Sequence, residues 1–229
     1  MNIKFLGTGG AFDFEKGNAS AIVEVSGKNI LIDCGFSTLS VLAKHELAGD
    51  IDYILLTHLH ADHFGSLPML LGYIQHRLKQ PTPKLIVPTK EFQADITDLL
   101  RIMRPGTPAE FVAVSNFSKI EFIETTNQHA EGMRSFAYYF TDDDHLIYYS
   151  GDIGNADVAA DFLGDRTESN IQVFHETSPR LEIGSHTSYK EVEQKLGKYD
   201  PYVYHIAKEN MPADCTLKYV EDYPEFLFN

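Results

Sequence analysis

Apolar residues fall along this chain in short runs whose spacing changes from one run to the next. Residues 3–6 (Ile3-Lys4-Phe5-Leu6), 21–25 and 29–33 read as strands, the last two joined by Ser26-Gly27-Lys28, a hairpin signal. Gly7-Thr8-Gly9-Gly10 follows the first strand. No Gly-Lys-Ser/Thr comes after it and no helical pattern opens, so a tight turn is preferred to a phosphate-binding loop. A helix is predicted over 38–47 and a strand over 51–56. Leu67, Leu70, Leu71 and Ile74 have helical spacing, which predicts a helix starting near Gly65.

Pro81-Thr82-Pro83 breaks the chain before a short buried strand at 84–87. Pro88-Thr89 then opens a helix whose Phe92, Ile96, Leu99, Leu100 and Met103 form a core-packing stripe, ended by Arg104-Pro105-Gly106-Thr107-Pro108. Strands are predicted at 111–114, 120–123, 135–140 and 146–149, the last two meeting across an acidic tip, Asp142-Asp143-Asp144. A helix over 189–196 leads to a strand at 202–204. Strands dominate, with no regular βαβ alternation, no internal repeat and no linker. The pattern predicts one α+β domain, residues 1–229, built of two packed sheets flanked by helices.

Composition changes this picture in two places. Asp and Glu number 33 against 19 Lys and Arg, a formal net charge of −14. A protein that grips long nucleic acid draws most of its affinity from basic groups on phosphates, and this chain has no basic run. Cys34 and Cys215 are the only cysteines in 229 residues. With an N-terminal apolar run that breaks after six residues, and no run near the roughly 18 apolar residues of a membrane span, they predict a reducing, cytoplasmic setting. Cys34 is expected to be buried; Cys215 lies in a polar stretch without a motif.

The candidate chemistry is concentrated in Leu56-Thr57-His58-Leu59-His60-Ala61-Asp62-His63-Phe64-Gly65. Three histidines and an aspartate stand within six positions, directly after a strand. His58 and His60 are two apart and point the same way from extended backbone. Asp62 and His63 follow where the chain turns and can serve a second centre. Neutral imidazoles with a carboxylate suit zinc or a similar divalent metal. His45, His76 and His145 match nothing and are read as surface residues.

His58-x-His60-x-Asp62-His63 resembles the signature of the metallo-β-lactamase fold hydrolases, and Phe5-Leu6-Gly7-Thr8-Gly9-Gly10 resembles the opening of their ribonuclease Z-like branch. The resemblance implies an αββα sandwich of two mixed sheets. It implies that Asp33 buttresses the metal loop. It adds His129, Asp152 and His205 as ligands. One metal would then be held by His58, His60, His129 and Asp152, the other by Asp62, His63, Asp152 and His205. Gly151 would let the backbone come close beside the bridging Asp152. His175-Glu176-Thr177-Ser178 and His186-Thr187-Ser188 resemble two further motifs of ribonuclease Z and related phosphodiesterases, each without a full match. They imply that His186 is a proton donor oriented by Glu176, with Asp62 able to accept a proton; the role of His175 stays open.

The function this implies is a dinuclear phosphodiesterase that acts on a small or cyclic nucleotide through a hydroxide bridging the metals. Zinc is the first choice, with manganese or iron as alternatives. Three rivals remain: a ribonuclease Z-like tRNA 3′ endonuclease, an acyl hydrolase such as a lactonase or thioesterase, and a metal-binding protein without turnover. Short ribonuclease Z enzymes insert a tRNA-gripping arm between the third histidine and the bridging aspartate. Here His129 and Asp152 are 23 positions apart, an interval that two strands already fill. Members of the family are often dimers, so a homodimer is open. Phe12, Phe14 and Tyr73 lie near the cluster in sequence and could stack a base, although core packing is the expected role of each.

Overall fold

The computed structural model describes residues 1–103, 109–181 and 184–228. The segment expected to end the helix after Pro88 lies outside the described residues. The first half runs β1 (Asn2–Gly7), β2 (Ser20–Val25), β3 (Lys28–Ile32), α1 (Thr38–Lys44), β4 (Tyr53–Leu55), α2 (Ala61–Phe64), α3 (Leu67–Gly72), a π-helical turn Tyr73–Leu78, β5 (Lys84–Val87), α4 (Lys90–Met103) and β6 (Phe111–Ala113). The second runs β7 (Ile120–Glu124), β8 (Phe136–Asp142), β9 (His145–Tyr149), α5 (Asp157–Gly164), β10 (Asn170–Glu176), α6 (Tyr189–Leu196), β11 (Tyr202–Tyr204) and β12 (Lys218–Tyr219).

Strands β1 to β6 form one sheet in chain order, and β7 to β12 form the other. In each sheet the first two pairings are antiparallel and the remaining three parallel. The two halves therefore share a topology that no sequence repeat announces. Two mixed sheets flanked by helices are what the strand-rich pattern predicts.

Local chemistry explains most boundaries. Ser26 and Gly27 both have positive φ, 54° and 72°, the backbone of the two-residue turn that matches strand twist. Helix α1 ends at Lys44, three residues earlier than predicted, because Glu46 turns into the left-handed region at φ 58°. The helix expected from Gly65 is preceded by one earlier turn, α2, which contains Asp62 and His63. In α4, Phe92, Ile96 and Leu100 are buried, while Met103 at the end of the stripe is exposed.

The sheets pack face to face through aromatic rings. Phe5 of the first sheet meets Phe174 and Tyr204 of the second at centroid distances of 5.4 and 5.5 Å. Near the metal loop, the Tyr138 hydroxyl donates to the Leu56 carbonyl at 2.8 Å and the Phe136 N–H to the Thr57 carbonyl at 2.9 Å. These bonds tie the loop after β4 to the opposite sheet. Phe12 and Phe14 are a correction: they are 87% and 91% exposed and pack in no core. Tyr73, half-buried, does pack against the core.

Candidate metal centre

Most motif residues lie just past strand ends of the two sheets, with Asp62 and His63 in the α2 turn after β4. His58 and His60 follow β4, Asp33 follows β3, Asp152 follows β9, Glu176 closes β10 and His205 follows β11. His129 comes from the segment between β7 and β8, and His186 from the segment before α6. Among the described residues four overlapping groups of candidate ligands result: His58, His60 and His129; Asp62, His63, Asp152 and His205; His129, Asp152 and His186; and Glu176, His186 and His205. The first two match the two ligand sets that the resemblance implies.

In the first group the His60 Nδ1 lies 3.1 Å from His58 Nε2 and 2.9 Å from His129 Nε2. The outer nitrogens have fixed partners. The Thr57 hydroxyl gives its hydrogen to Asp33 Oδ2 at 2.8 Å, so at 3.0 Å it accepts from His58 Nδ1–H. The His129 Nδ1–H donates to the Ser185 carbonyl at 2.5 Å. Both Nε2 atoms therefore present lone pairs inward, and His60 can donate at most one proton to the two of them. A set of converging acceptors of this kind is what a cation satisfies. Asp152 Oδ2 completes it at 3.9 Å from His58 Nε2 and 3.7 Å from His129 Nε2.

In the second group the His63 Nδ1–H donates to Asp33 Oδ2 at 2.8 Å, which turns its Nε2 inward. That buried Nε2 has no hydrogen-bond partner, and neither has the buried Asp152 Oδ1. Asp62 Oδ2 and Asp152 Oδ2 each lie 3.4 Å from both His63 Nε2 and His205 Nε2. These gaps are long for hydrogen bonds. They match the spacing of about 3.4 Å between donors that each sit roughly 2.0–2.1 Å from a tetrahedral zinc. One oxygen, Asp152 Oδ2, is common to both groups.

Protonation at His58, His60 and the carboxyls suits cations as well, whereas at His63 burial is outweighed by Asp152 and Asp33, which raise its pKa, a preference that a bound cation would reverse. Burial lowers the pKa of His58 and, less strongly, that of His60, which favours the neutral ligand form. Burial opposes ionisation of Asp62 and Asp152, yet the surrounding histidines hold both carboxyls far below the usual range. The residues present therefore fit divalent metal.

Asp33 sits behind this arrangement at φ 61°, a backbone region that costs a non-glycine residue strain. Its Oδ1 accepts the Thr57 N–H at 2.7 Å, and its Oδ2 takes the Thr57 hydroxyl and His63 Nδ1–H. Fully buried, it orients a ligand of each group. Asp33→Asn puts an amide donor against these donors. It is expected to weaken metal binding about 10- to 100-fold, the usual cost of losing an orienting partner, measured by competition with a chromophoric chelator. Unchanged affinity would leave Asp33 a turn residue only.

Glu176 is fully buried and accepts the Thr187 N–H on Oε1 at 2.8 Å. Its Oε2 takes the His186 Nδ1–H at 3.2 Å. The His186 ring lies between those of His129 and His205, with centroids 4.8 and 5.3 Å away, and so overhangs both groups. Burial works against its charge, but Glu176 and the nearby aspartates raise its pKa to about 9. His175 is buried and gives its Nδ1–H to the Glu176 carbonyl at 2.6 Å. Neighbours on a strand face opposite ways, so it stands apart from the cluster. His45, His76 and His145 also stand apart from it.

Glycines and backbone groups support the site, some of them unforeseen in the sequence. Gly151 adopts φ 60°, and a Cβ there would lie 2.8 Å from that of Thr57, which bears out the close approach expected beside Asp152. Gly35 was given no such role, yet a Cβ on it would lie 1.8 Å from the Asp62 carbonyl. The glycine turn after β1 does more than reverse the chain: the Thr8 carbonyl accepts the His205 N–H at 2.7 Å, and Gly10 lies against the His205 ring.

A family profile described as "Anti-Pycsar protein Apyc1" matches residues 1–102. An anti-Pycsar protein Apyc1 of Paenibacillus sp. (strain J14) is 29% identical over 174 residues, which cover 67% of each chain. The zinc phosphodiesterase ELAC protein 1 of Homo sapiens is 48% identical over 73 residues, 31% of this chain but 20% of that protein. Among solved structures, the metallo-β-lactamase fold protein YhfI from Bacillus subtilis superposes with a TM-score of 0.68 at 19% identity, covering 89% of this chain and 85% of its own.

Proposed function

We propose that this chain, which has the metallo-β-lactamase fold, is a metal-dependent phosphodiesterase that acts on a small nucleotide, cyclic or short, with residues 1–229 forming one such domain. The observation that carries the reading is His186, held by Glu176 over two ligand groups that share Asp152 Oδ2. A phosphodiester needs a general acid for its leaving oxygen, and this imidazole is placed and charged to be one. The Apyc1 profile and the zinc phosphodiesterase relative support the same chemistry.

Two divalent ions, zinc first, would be held by His58, His60, His129 and Asp152 and by Asp62, His63, Asp152 and His205. When bound they supply Lewis acidity, acidifying water and neutralising phosphate charge. The chain does the rest. Asp62 takes a proton from the attacking water. His186 delivers its proton from Nε2 to the leaving oxygen, since Nδ1 is committed to Glu176. Glu176, held by the Thr187 and Ile153 N–H groups, keeps the ring aimed and favours its charged form.

The net charge of −14 disfavours precursor tRNA. Between His129 and Asp152 the chain holds only a short loop and the β8–β9 hairpin, with no arm. Neither described cysteine is in a disulfide, in keeping with a cytoplasmic setting, and no helix among the described residues is long and apolar enough to cross a membrane. The test is a panel on zinc- or manganese-loaded protein: a cyclic nucleotide, a generic phosphodiester, a lactone, a thioester and a precursor tRNA. The cyclic nucleotide is expected to react fastest, far ahead of the tRNA. Efficient tRNA 3′ cleavage that weakens steeply with salt would restore the endonuclease, and a preferred lactone or thioester would restore acyl chemistry.

A further inference from the structure

Among the described large apolar residues, Phe14 and Phe12 are the most exposed, at 91% and 87%. They do not wave on a free loop. Asp13 stands between them, and its Oδ1 accepts the N–H of Glu15 at 3.1 Å and of Lys16 at 2.9 Å. Lys16 is in turn paired with Glu221 at 2.7 Å. The segment is also anchored where Gly9 N–H meets the Gly17 carbonyl at 2.8 Å. Two rings are thus displayed on a fixed turn.

The turn lines a cavity of about 680 Å³ together with His205, a candidate ligand, and the residues that follow it. The volume lies within the usual range of small-ligand sites. The ionisable groups of the cavity wall beyond His205 are Asp13, Glu15 and Glu209, with no Lys or Arg among the lining residues. Such a wall repels a phosphate. It suits a neutral aromatic face carrying N–H donors, which carboxylates can accept. The lining therefore suits one molecule that carries an anion beside His205 and a flat, N–H-bearing ring beside the phenylalanines.

We infer that this cavity is the base subsite of the substrate, with Phe12 and Phe14 as its stacking surface. These side chains then hold the base of the small nucleotide proposed above. This inference rests on the phosphodiesterase reading for what happens at the other end, but the base subsite can be read by binding alone.

The experiment compares wild type with Phe12→Ala/Phe14→Ala, both zinc-loaded. Calorimetry measures binding of a nucleoside 5′-monophosphate and of ribose 5-phosphate. Wild type is expected to bind the nucleotide about 10- to 100-fold more tightly, the scale of base–aromatic stacking, and the double variant to lose that advantage while binding ribose 5-phosphate as before. The kcat/KM for a cyclic nucleotide should fall by the same factor and that for a base-free cyclic ribose phosphate should hold. Phe12→Trp/Phe14→Trp should keep the preference, which guards against misfolding as the cause. A preference that survives in the alanine variant overturns the inference. Equal losses on both probes also overturn it, and if a dimer dissociates in ultracentrifugation at the same time, the pair is a contact between copies. If the binding difference holds but neither phosphodiester is turned over, the subsite stands and the phosphodiesterase reading falls.

Discussion

Asp152→Ala is expected to take the protein from about two bound metals per chain to at most one and to lower phosphodiester turnover by about 10³-fold or more. The reason is geometric. One oxygen, Asp152 Oδ2, lies 3.4 Å from His63 Nε2 and His205 Nε2, 3.7 Å from His129 Nε2 and 3.9 Å from His58 Nε2. Of the described candidate ligands, only Asp152 is assigned to both groups. Its loss removes a donor from each group and one of the two ligand carboxylates, Asp62 being the other. Asp152→Asn keeps the shape and loses the charge, so it should retain more metal than the alanine variant and less than wild type. Elemental analysis after dialysis and turnover of a nitrophenyl phosphodiester read both effects. Full metal content with full activity in Asp152→Ala would end the assignment of a shared ligand.

The fold was legible where a run had one period and a clear stop. Helix α6 has its predicted bounds because Ser188 caps it, its side chain accepting the Glu191 N–H, and the chain tightens into a 3-10 turn from Gly197. The hairpin of β2 and β3 was legible in Ser26-Gly27. Other elements hid. Strand β10, Asn170–Glu176, is central in its sheet, but its buried His175 and Glu176 read as chemistry rather than as strand. Helix α5 spans eight residues without a side-chain cap, and β12 is two residues long. Both depend on tertiary packing rather than on local signal. Phe12 and Phe14 misled for a related reason: apolarity predicts burial on average but carries no information about a ring that a polar turn holds outward.

The site divides along the same line. His58, His60, Asp62 and His63 are dense enough to be read from spacing, since a local turn brings them together. His129, His186 and His205 are single residues at loop positions, and spacing alone cannot tell a ligand from a surface histidine. His60 and His129 meet across 69 positions, and Asp62 and His205 across 143. Such contacts are made by the closure of two sheets, so only the resemblance could place them in advance. Thr57 was legible in hindsight, as the polar residue just before His58. The Ser185 carbonyl that orients His129 was not, because a backbone acceptor leaves no mark on composition.

His186→Ala is expected to leave metal content unchanged and to slow hydrolysis of an alkyl phosphodiester, such as a cyclic nucleotide, by about 10²–10⁴-fold. Metal content should hold because His58, His63 and His129 take their orienting hydrogen bonds from groups other than the His186 ring, and the His186 Nδ1–H is committed to Glu176. The rate should fall because an alkoxide is a poor leaving group, and the nitrogen that would protonate it is gone. A nitrophenolate leaves without a proton, so the loss on a nitrophenyl ester should shrink to a small factor. Glu176→Gln should follow the same pattern at smaller size: the amide still fills the pocket beside the Thr187 N–H but no longer favours the imidazolium. Bound cations would oppose the charge on His186 and bring its pKa down from about 9 towards the working range, where a proton donor is most effective. Equal losses on the alkyl and nitrophenyl esters would mean that His186 shapes the site without giving up a proton, and the general-acid assignment would fall with it.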